Sequence, residues 1–204
     1  DLGDSYLMIA SDRLSAFDVV LPTGIPDKGK VLTQISLFWF EKTSQIINNH
    51  VITADTKEII AKLSACGVAD AGQYEEMLDG RSMIVVKAQP TPIECVVRGY
   101  LAGSAWKEYS AMKAASSGGP IILHGVELPD DMVESQKLPE PVFTPSTKES
   151  TGHDINISAQ KAREIVGEDL GTQLEVASLA VYKFASDYAS QRGIIICDTK
   201  DRKS

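Results

Sequence analysis

Apolar residues recur along the chain at two spacings, which predict helices and strands. Apolar positions three or four residues apart predict helices over residues 32–47, 57–63, 105–115, 159–166 and 170–191. Shorter apolar runs predict strands over residues 6–10, 51–53, 83–86, 95–97 and 194–197. Residues 116–147 are rich in proline and are expected to form loops with minor strands. Because strands and helices do not alternate regularly, the order predicts a mixed α+β fold.

The last predicted helices and strand have the clearest burial pattern. Ser158 is the expected N-cap of the helix over residues 159–166, and Gly167 is its expected stop. Residues 194–197 are four apolar residues in a row and predict a fully buried strand. The helix before that strand is expected to bury one apolar stripe, formed by Leu170, Leu174, Ala177, Val181, Phe184 and Tyr188.

A stiff connector divides the chain near its middle. Pro90 and Pro92 restrict residues 88–92 to an extended conformation. Such a link is suited to a hinge between two lobes. We therefore expect a smaller lobe over residues 1–90 and a larger lobe over residues 91–204.

Composition and charge exclude several classes of protein. The formal net charge is −8 and no basic stripe is present, which argues against a nucleic-acid-binding surface. No apolar run approaches the roughly 20 residues that a membrane-spanning helix needs, and the first residues do not resemble a signal peptide. Cys66, Cys95 and Cys197 lack metal or disulfide spacing, and the last two are expected to be buried thiols. A cytoplasmic protein is predicted.

The most informative segment is residues 92–104, which read PIECVVRGYLAGS. An apolar strand is followed by Arg98, then by Gly103 and Ser104 at the expected start of a helix. A forked cation close to free helix N–H groups favours an anion, and phosphate in particular. The alternative is a structural ion pair between Arg98 and one of the 28 acidic residues. Ser104 is either a ligand group or an ordinary N-cap.

Other polar residues carry weaker signals. Asp198 and Lys200 are two residues apart along a strand, so both side chains are expected on the same side. There they either orient a phosphate and a metal or form a salt bridge with each other. Asp12 is explained by a turn, whereas Asp18 lies among apolar neighbours that disfavour a charge. Lys148 belongs to a hydroxyl-rich segment that is either a ligand site or a solvated loop. The same holds for Asp154 in the segment His153-Asp154-Ile155-Asn156.

Several ordered segments resemble the SAICAR synthetase family. The segment SDRLSAFD at residues 11–18 and IPDKG at residues 25–29 are similar to two early family blocks. RGYLAGSAWKEY at residues 98–109 is close to the longer family members. Four further segments follow in family order: EPVFTPSTK at residues 140–148, GHDINIS at 152–158, VGEDL at 166–170 and DTK at 198–200. The resemblance covers nearly the whole chain.

The resemblance implies a two-lobed fold with an ATP-grasp-like nucleotide site between the lobes. It implies a ligase of purine biosynthesis that uses ATP and Mg²⁺ to join L-aspartate to a carboxyaminoimidazole ribotide. The smaller lobe would bind ATP and the larger lobe the substrate; the oligomeric state is left open. By the same resemblance, the ribotide and aspartate would be bound by Asp18, Lys28, Arg98, Ser104, Lys148 and Asp154. The adenine would be bordered by Lys87, Ala88, Thr91 and Glu94, and the catalytic residues would be Asp198 and Lys200.

Two family segments are not found in the sequence. One is a Gly-Lys-x-Arg loop expected before residue 1, and the other contains the metal ligands expected beyond Lys200. We therefore expect a fragment that turns over ATP poorly by itself. The alternatives are a ribotide-binding pseudoenzyme and a kinase with similar lobes. An intact mass near 22.1 kDa favours the pseudoenzyme and a substantially larger mass favours the ligase, whereas dependence on aspartate favours the ligase over the kinase.

Overall fold

The computed structural model describes residues 1–148 and 155–201, which form two compact units. The first unit is Asp1–Ala88, and the second begins at Gln89. Helices and strands occur in both units, which confirms the α+β class. Within the part of the chain that the structure describes, no helix is both long and apolar enough to cross a membrane.

The first unit has a three-stranded antiparallel sheet in the order β1-β5-β4. A separate two-stranded hairpin, β2–β3, follows β1 in the chain. A small core forms between the sheet and the helices around Ile59, Leu63, Leu78 and Ile84. The elements of this unit are β1 (Ser5–Ile9), β2 (Ser15–Ala16), β3 (Val19–Val20), α1 (Lys28–Lys42), β4 (Val51–Thr53), α2 (Thr56–Ala65), a 3₁₀ turn (Ala71–Tyr74), α3 (Glu75–Leu78) and β5 (Ser82–Val86).

The second unit is built around strand β6, which pairs antiparallel with three other strands among the described residues. Strands β9 and β10 pair with β6 through its C-terminal and N-terminal parts respectively, and β11 also pairs with β6. Strands β7 and β8 form a separate hairpin. The elements are β6 (Ile93–Tyr100), α4 (Gly103–Ala115), β7 (Ile121–Leu123), β8 (Val126–Leu128), β9 (Lys137–Phe143), β10 (Ser146–Thr147), α5 (Ala159–Val166), α6 (Glu168–Ser190) and β11 (Asp198–Asp201).

Two strands are longer than the apolar pattern predicts. Strand β6 runs on through Tyr100, so Arg98 lies inside the strand and not in a turn after it. Strand β9 covers seven residues that were expected to be loop with only minor strands. It contains Pro139 and Pro141, which cannot donate to a ladder and are tolerated on an edge strand.

The predicted buried strand over residues 194–197 is wrong. These residues form an irregular connection, with Ile194 and Ile195 58% and 67% exposed, and the strand begins four residues later at Asp198. Cys197 is exposed, against the expectation of a buried thiol, whereas Cys95 is buried as expected. The connection is held by hydrogen bonds to its carbonyl groups, from Tyr182 Oη to Ile196 (2.7 Å) and from the Gly99 amide to Cys197 (2.9 Å).

Helix α6 buries a different stripe from the one expected. Of the predicted positions only Leu174 is buried; Leu170 and Phe184 are 41% and 36% exposed. The buried face is mostly small residues plus Tyr182, which lets the helix approach β6 closely. At Gly99 of β6 any Cβ would overlap the Tyr182 hydroxyl group. The buried positions are Gly171, Leu174, Ser178, Tyr182, Ala185 and Ala189.

Candidate active site

Strand β6 separates an apolar side from a polar side. Cys95 and Val97 belong to the core cluster that includes Leu174 and Tyr182 of α6. Because side chains alternate along a strand, Glu94 and Arg98 lie on the opposite side. We call this side of β6 the polar face. In the antiparallel register Asp198 is opposite Arg98, so β11 adds its alternate residues to the same face.

Arg98 is the best-held side chain of the polar face. Its Nε donates to Thr144 Oγ1 and its Nη2 to Ser104 Oγ, both at 3.1 Å. Its Nη1 lies 3.8 Å from Asp198 Oδ2, a carboxylate whose side chain is half exposed. The Arg98 side chain itself is only 11% exposed. The guanidinium is therefore fixed by two hydroxyl groups, while its charge is only partly offset by a distant carboxylate.

Ser104 brings this guanidinium to the start of helix α4. The N-cap residue is Ala102, which has no capping side chain, and the first turn contains no acidic residue. Ser104 therefore lies one residue inside the helix and is not the N-cap. A 13-residue helix with an uncapped N-terminus favours an anion at that end. Arg98, Ser104 and the first turn of α4 together offer the positive charge and hydrogen-bond donors that an anionic group needs.

Glu94 connects the two lysines of the site. Its Oε1 lies 2.9 Å from Lys148 Nζ, and its Oε2 lies 2.5 Å from Lys200 Nζ. The Glu94 side chain is 10% exposed, whereas the lysine side chains are 38% and 55% exposed. A mostly buried carboxylate thus holds two ammonium groups that reach solvent. Asp198 and Lys200 pair with Arg98 and Glu94 respectively.

The charges around the polar face favour an anionic ligand. Among the described residues, the ion pairs of this face join three cations, from Arg98, Lys148 and Lys200, to the two carboxylates of Glu94 and Asp198. This local excess of positive charge occurs in a chain whose net charge is −8. An acidic protein can thereby attract a polyanionic metabolite to one place.

The other predicted site residues that the structure describes lie in the first unit or just after its end. Asp18 is at the tip of the β2–β3 hairpin, and Lys28 is the first residue of α1; both are in the first unit. Lys87 is paired with Asp1 at 2.7 Å. Ala88 is the last residue of that unit, Thr91 is in the second, and Asp154 lies outside the described residues.

The sequence did not indicate the roles of two well-connected residues, Thr144 on the polar face and Asp12 in the first unit. Thr144 is almost fully buried, and its amide donates to the Val96 carbonyl, which aims its hydroxyl at Arg98. In the sequence, the only indication of a role for Thr144 was its position in the family-like segment EPVFTPSTK. Asp12, which was expected to be a simple turn residue, accepts hydrogen bonds from Arg81 (2.8 and 3.2 Å) and from the Gly29 amide (2.9 Å).

The Asp12 contacts have an electrostatic consequence. The Arg81 guanidinium, followed by the Gly29 amide, holds the pKa of the Asp12 carboxyl below its ordinary value. Asp12 thereby ties the loop after β1 to the start of α1 and to Arg81 just before β5.

A metal site is not assembled among the residues that the structure describes. Within residues 1–148 and 155–201, no group of three or more His, Cys, Asp and Glu side chains could hold a metal ion. Asp198 is a carboxylate on the polar face, but its nearest charged partner is Arg98. The described side chains therefore do not by themselves fit a bound Mg²⁺.

Comparison with known proteins gives one consistent match. The sequence model of the family described as SAICAR synthetase matches residues 1–201. Phosphoribosylaminoimidazole-succinocarboxamide synthase of Thermodesulfovibrio yellowstonii is 52% identical over 200 residues, which are 98% of this chain and 63% of that protein. The chain thus spans less than two thirds of the length of this curated relative.

Solved structures agree with the sequence comparison. The SAICAR synthase of Saccharomyces cerevisiae, complexed with SAICAR, matches with a TM-score of 0.81 at 40% identity, over 98% of this chain and 62% of that one. A type-2 SAICAR synthetase in complex with ADP matches with a TM-score of 0.67 at 25% identity, over 98% of this chain and 67% of that one.

Proposed function

Because the chain belongs to the SAICAR synthetase family, we propose that the protein is an ATP-dependent carbon–nitrogen ligase of purine biosynthesis. It joins L-aspartate to 5-amino-1-(5-phosphoribosyl)imidazole-4-carboxylate and gives SAICAR, ADP and phosphate. The observation that carries the proposal is the Arg98 guanidinium, held by Thr144 and Ser104 beside the uncapped start of α4. This arrangement suits a phosphate monoester such as that of the ribotide.

The substrate roles follow from the polar face and the family blocks. Arg98 and Ser104 bind the ribotide phosphate, and Lys148 supplies a second positive charge nearby. Asp18, Lys28 and Asp154 complete the substrate-binding set. The larger lobe, residues 91–204, is the substrate-binding lobe in this proposal. Support comes from the contacts of Arg98 and from the Lys148–Glu94 pair at 2.9 Å.

The nucleotide roles are assigned to the connector and to β11. Residues 1–90 form the ATP-binding lobe of an ATP-grasp-like site. Asp198 and Lys200 act at the phosphates. Glu94 supports this role because it holds Lys200 Nζ at 2.5 Å, which keeps an ammonium group near the end of β11. The adenine is bordered by Lys87, Ala88, Thr91 and Glu94.

The reaction consists of two group transfers. An oxygen of the ribotide carboxylate attacks the γ-phosphorus of ATP, so an acyl phosphate forms and ADP leaves. The amine of aspartate then attacks the acyl carbon, loses a proton, and expels phosphate to leave an amide. Both steps bring negatively charged groups together; in this proposal Lys200 offsets charge at the transferred phosphoryl group, while Arg98 and Lys148 hold the ribotide.

Mg²⁺ and the cellular location are the remaining parts of the proposal. Mg²⁺ commonly neutralises ATP phosphates, but the described carboxylates do not assemble a site, so no step is assigned to it.

The free thiols Cys66, Cys95 and Cys197 suit a reducing cytoplasm, where we place the protein. Its partners are small molecules, and the net charge of −8 disfavours nucleic acid.

The test is a steady-state ADP-release assay on the protein at its full natural length. We expect ADP release only when ATP, the carboxylated ribotide and L-aspartate are all present. Rapid release with the ribotide and a different amine, but none with aspartate, would contradict the assignment. Release with a hydroxyl acceptor and no ribotide would indicate a kinase.

A further inference from the structure

The tip of the β2–β3 hairpin carries an aromatic residue in an unusual conformation. Ser15 pairs with Val20 and Ala16 with Val19, so Phe17 and Asp18 form a two-residue turn. Both have positive φ, 52° and 62°, as a type I′ turn requires. Asn and Gly are the favoured residues in such turns, and Asp is tolerated. A bulky residue there is a genuine outlier.

The ring of Phe17 does nothing for the folding of its own unit. It is fully exposed, so it loses no contact with water when the hairpin forms. Its backbone conformation is disfavoured for a large side chain. Strained residues of this kind are concentrated at ligand sites. A role outside the hairpin therefore explains Phe17 better than a structural one.

The hairpin is firmly attached at its base. The Leu21 amide donates to the Leu14 carbonyl at 2.9 Å, and the Ile25 amide donates to the Asp12 carbonyl at 2.8 Å. The Asp12 side chain is in turn bound by Arg81 and by the Gly29 amide. Phe17 is thus presented at the end of a hydrogen-bonded stem and not on a loose loop.

We propose that Phe17 is a ligand-contacting residue whose ring stacks on a flat, amino-substituted nitrogen heterocycle. An exposed aromatic ring binds the face of such a heterocycle with little dependence on its substituents. The adjacent Asp18 carboxylate can accept a hydrogen bond from the exocyclic amino group. This inference rests on the proposed function, whose substrates contain two such heterocycles: the adenine of ATP and the aminoimidazole of the ribotide.

The experiment measures both ligands separately by calorimetry on the full-length protein. Phe17→Asn keeps a residue that accepts positive φ but removes the ring, so the hairpin should form at least as well. Phe17→Tyr keeps the ring. Val19→Thr is the control, because Val19 is 60% exposed on the same hairpin and Thr retains a β-branched side chain. The parent protein is first titrated with ATP and with the ribotide.

We expect Phe17→Asn to lower the affinity for one of the two ligands about tenfold, the effect of losing one stacking contact with a base. Phe17→Tyr and Val19→Thr should bind like the parent, and the melting temperature of Phe17→Asn should not fall. The affected ligand identifies the stacked ring. If the parent binds neither ligand, the proposed function fails. If the parent binds both and Phe17→Asn binds them equally well, or changes only the sedimentation of the protein, the stacking role is overturned.

Discussion

A guanidinium group whose nitrogens are held by hydroxyl groups keeps most of its charge available. Thr144 and Ser104 fix two nitrogens of Arg98 but neutralise nothing, since hydroxyl groups are uncharged. Among the described residues, the carboxylate paired with Arg98 is that of Asp198, which at 3.8 Å is beyond hydrogen-bond distance and is half exposed, so the pair is weak. This arrangement supports the proposal that Arg98 binds an anionic ligand.

Replacing Arg98 by lysine tests that conclusion. The lysine ammonium group cannot make the two parallel hydrogen bonds that a guanidinium makes to one anion. Ribotide binding should therefore weaken by about 1.5–3 kcal/mol, the usual strength of a hydrogen bond to a charged group. Calorimetry measures the affinity, and the melting temperature should change little. Arg163→Lys is the matched control, because Arg163 pairs with Glu175 at 2.7 Å and Glu168 at 3.3 Å. An Arg98→Lys variant that binds the ribotide normally but melts early would make Arg98 structural.

Asp12 gives a prediction about pH at the same scale. The pKa of its carboxyl is lowered in the folded protein, chiefly by Arg81. A lowered folded-state pKa stabilises the fold above the unfolded value of about 3.9, and that contribution is lost as pH falls through the folded value. Asp12→Asn should therefore melt below the parent at pH 7, and the difference should shrink as the pH falls below about 4.

The control variant for Asp12→Asn replaces a carboxylate that makes no capping hydrogen bond. Asp70→Asn is suitable, because Asp70 has a φ of 49° that Asn tolerates and makes no side-chain capping bond. Thermal melts of both variants from pH 7 down to pH 3 provide the measurement. A difference between Asp12→Asn and the parent that stays constant across this range would mean that the Arg81 pair contributes no pH-dependent stability.

Strands β1, β4 and β5 and helix α5 were predicted within about one residue, whereas helix α1 begins and ends earlier than predicted and two strands that pair with β6 were misplaced. Helix α5 has the expected bounds because Ser158 caps it locally, its Oγ accepting from the Lys161 amide at 3.1 Å. Strand β9 was missed because its prolines are acceptable only on a sheet edge, and edge position depends on β6. Residues 194–197 have the composition of a buried strand, yet β6 pairs with the next four residues.

The N-cap of α5 provides a prediction at the scale of one element. Ser158→Ala leaves the Lys161 amide without its partner, which should destabilise the protein by about 1 kcal/mol, and Ser158→Asp should restore that stability. Ser64→Ala is the control, because the Ser64 hydroxyl donates to the Ile60 carbonyl within a helix and alanine is a better helix former. Urea unfolding measures the three variants. Equal stability of Ser158→Ala and the parent would show that water replaces the cap.

The candidate site shows what sequence could supply at the scale of the whole chain. Arg98, Ser104, Asp198 and Lys200 were identifiable as polar residues beside predicted apolar runs or a helix start, although Arg98 lies inside β6 and the strand predicted before Asp198 does not form. Glu94 was named only through the family resemblance, Lys148 was left open between a ligand site and a solvated loop, and Thr144 was not named, because these three residues come together only through the register of β6 with β9, β10 and β11. Pairing register across distant segments has no local signal.

The two units have separate hydrophobic cores, which leads to a prediction for the whole molecule. Ile59 is fully buried in the cluster of the first unit, and Leu101 is 1% exposed in a cluster of the second. Truncating either to alanine should cost roughly 2–5 kcal/mol through lost burial and a cavity. A domain with its own core can open alone. Hydrogen exchange should therefore speed up only within residues 1–88 in Ile59→Ala and only beyond residue 88 in Leu101→Ala. Faster exchange in both units from either substitution would mean that they unfold as one cooperative body.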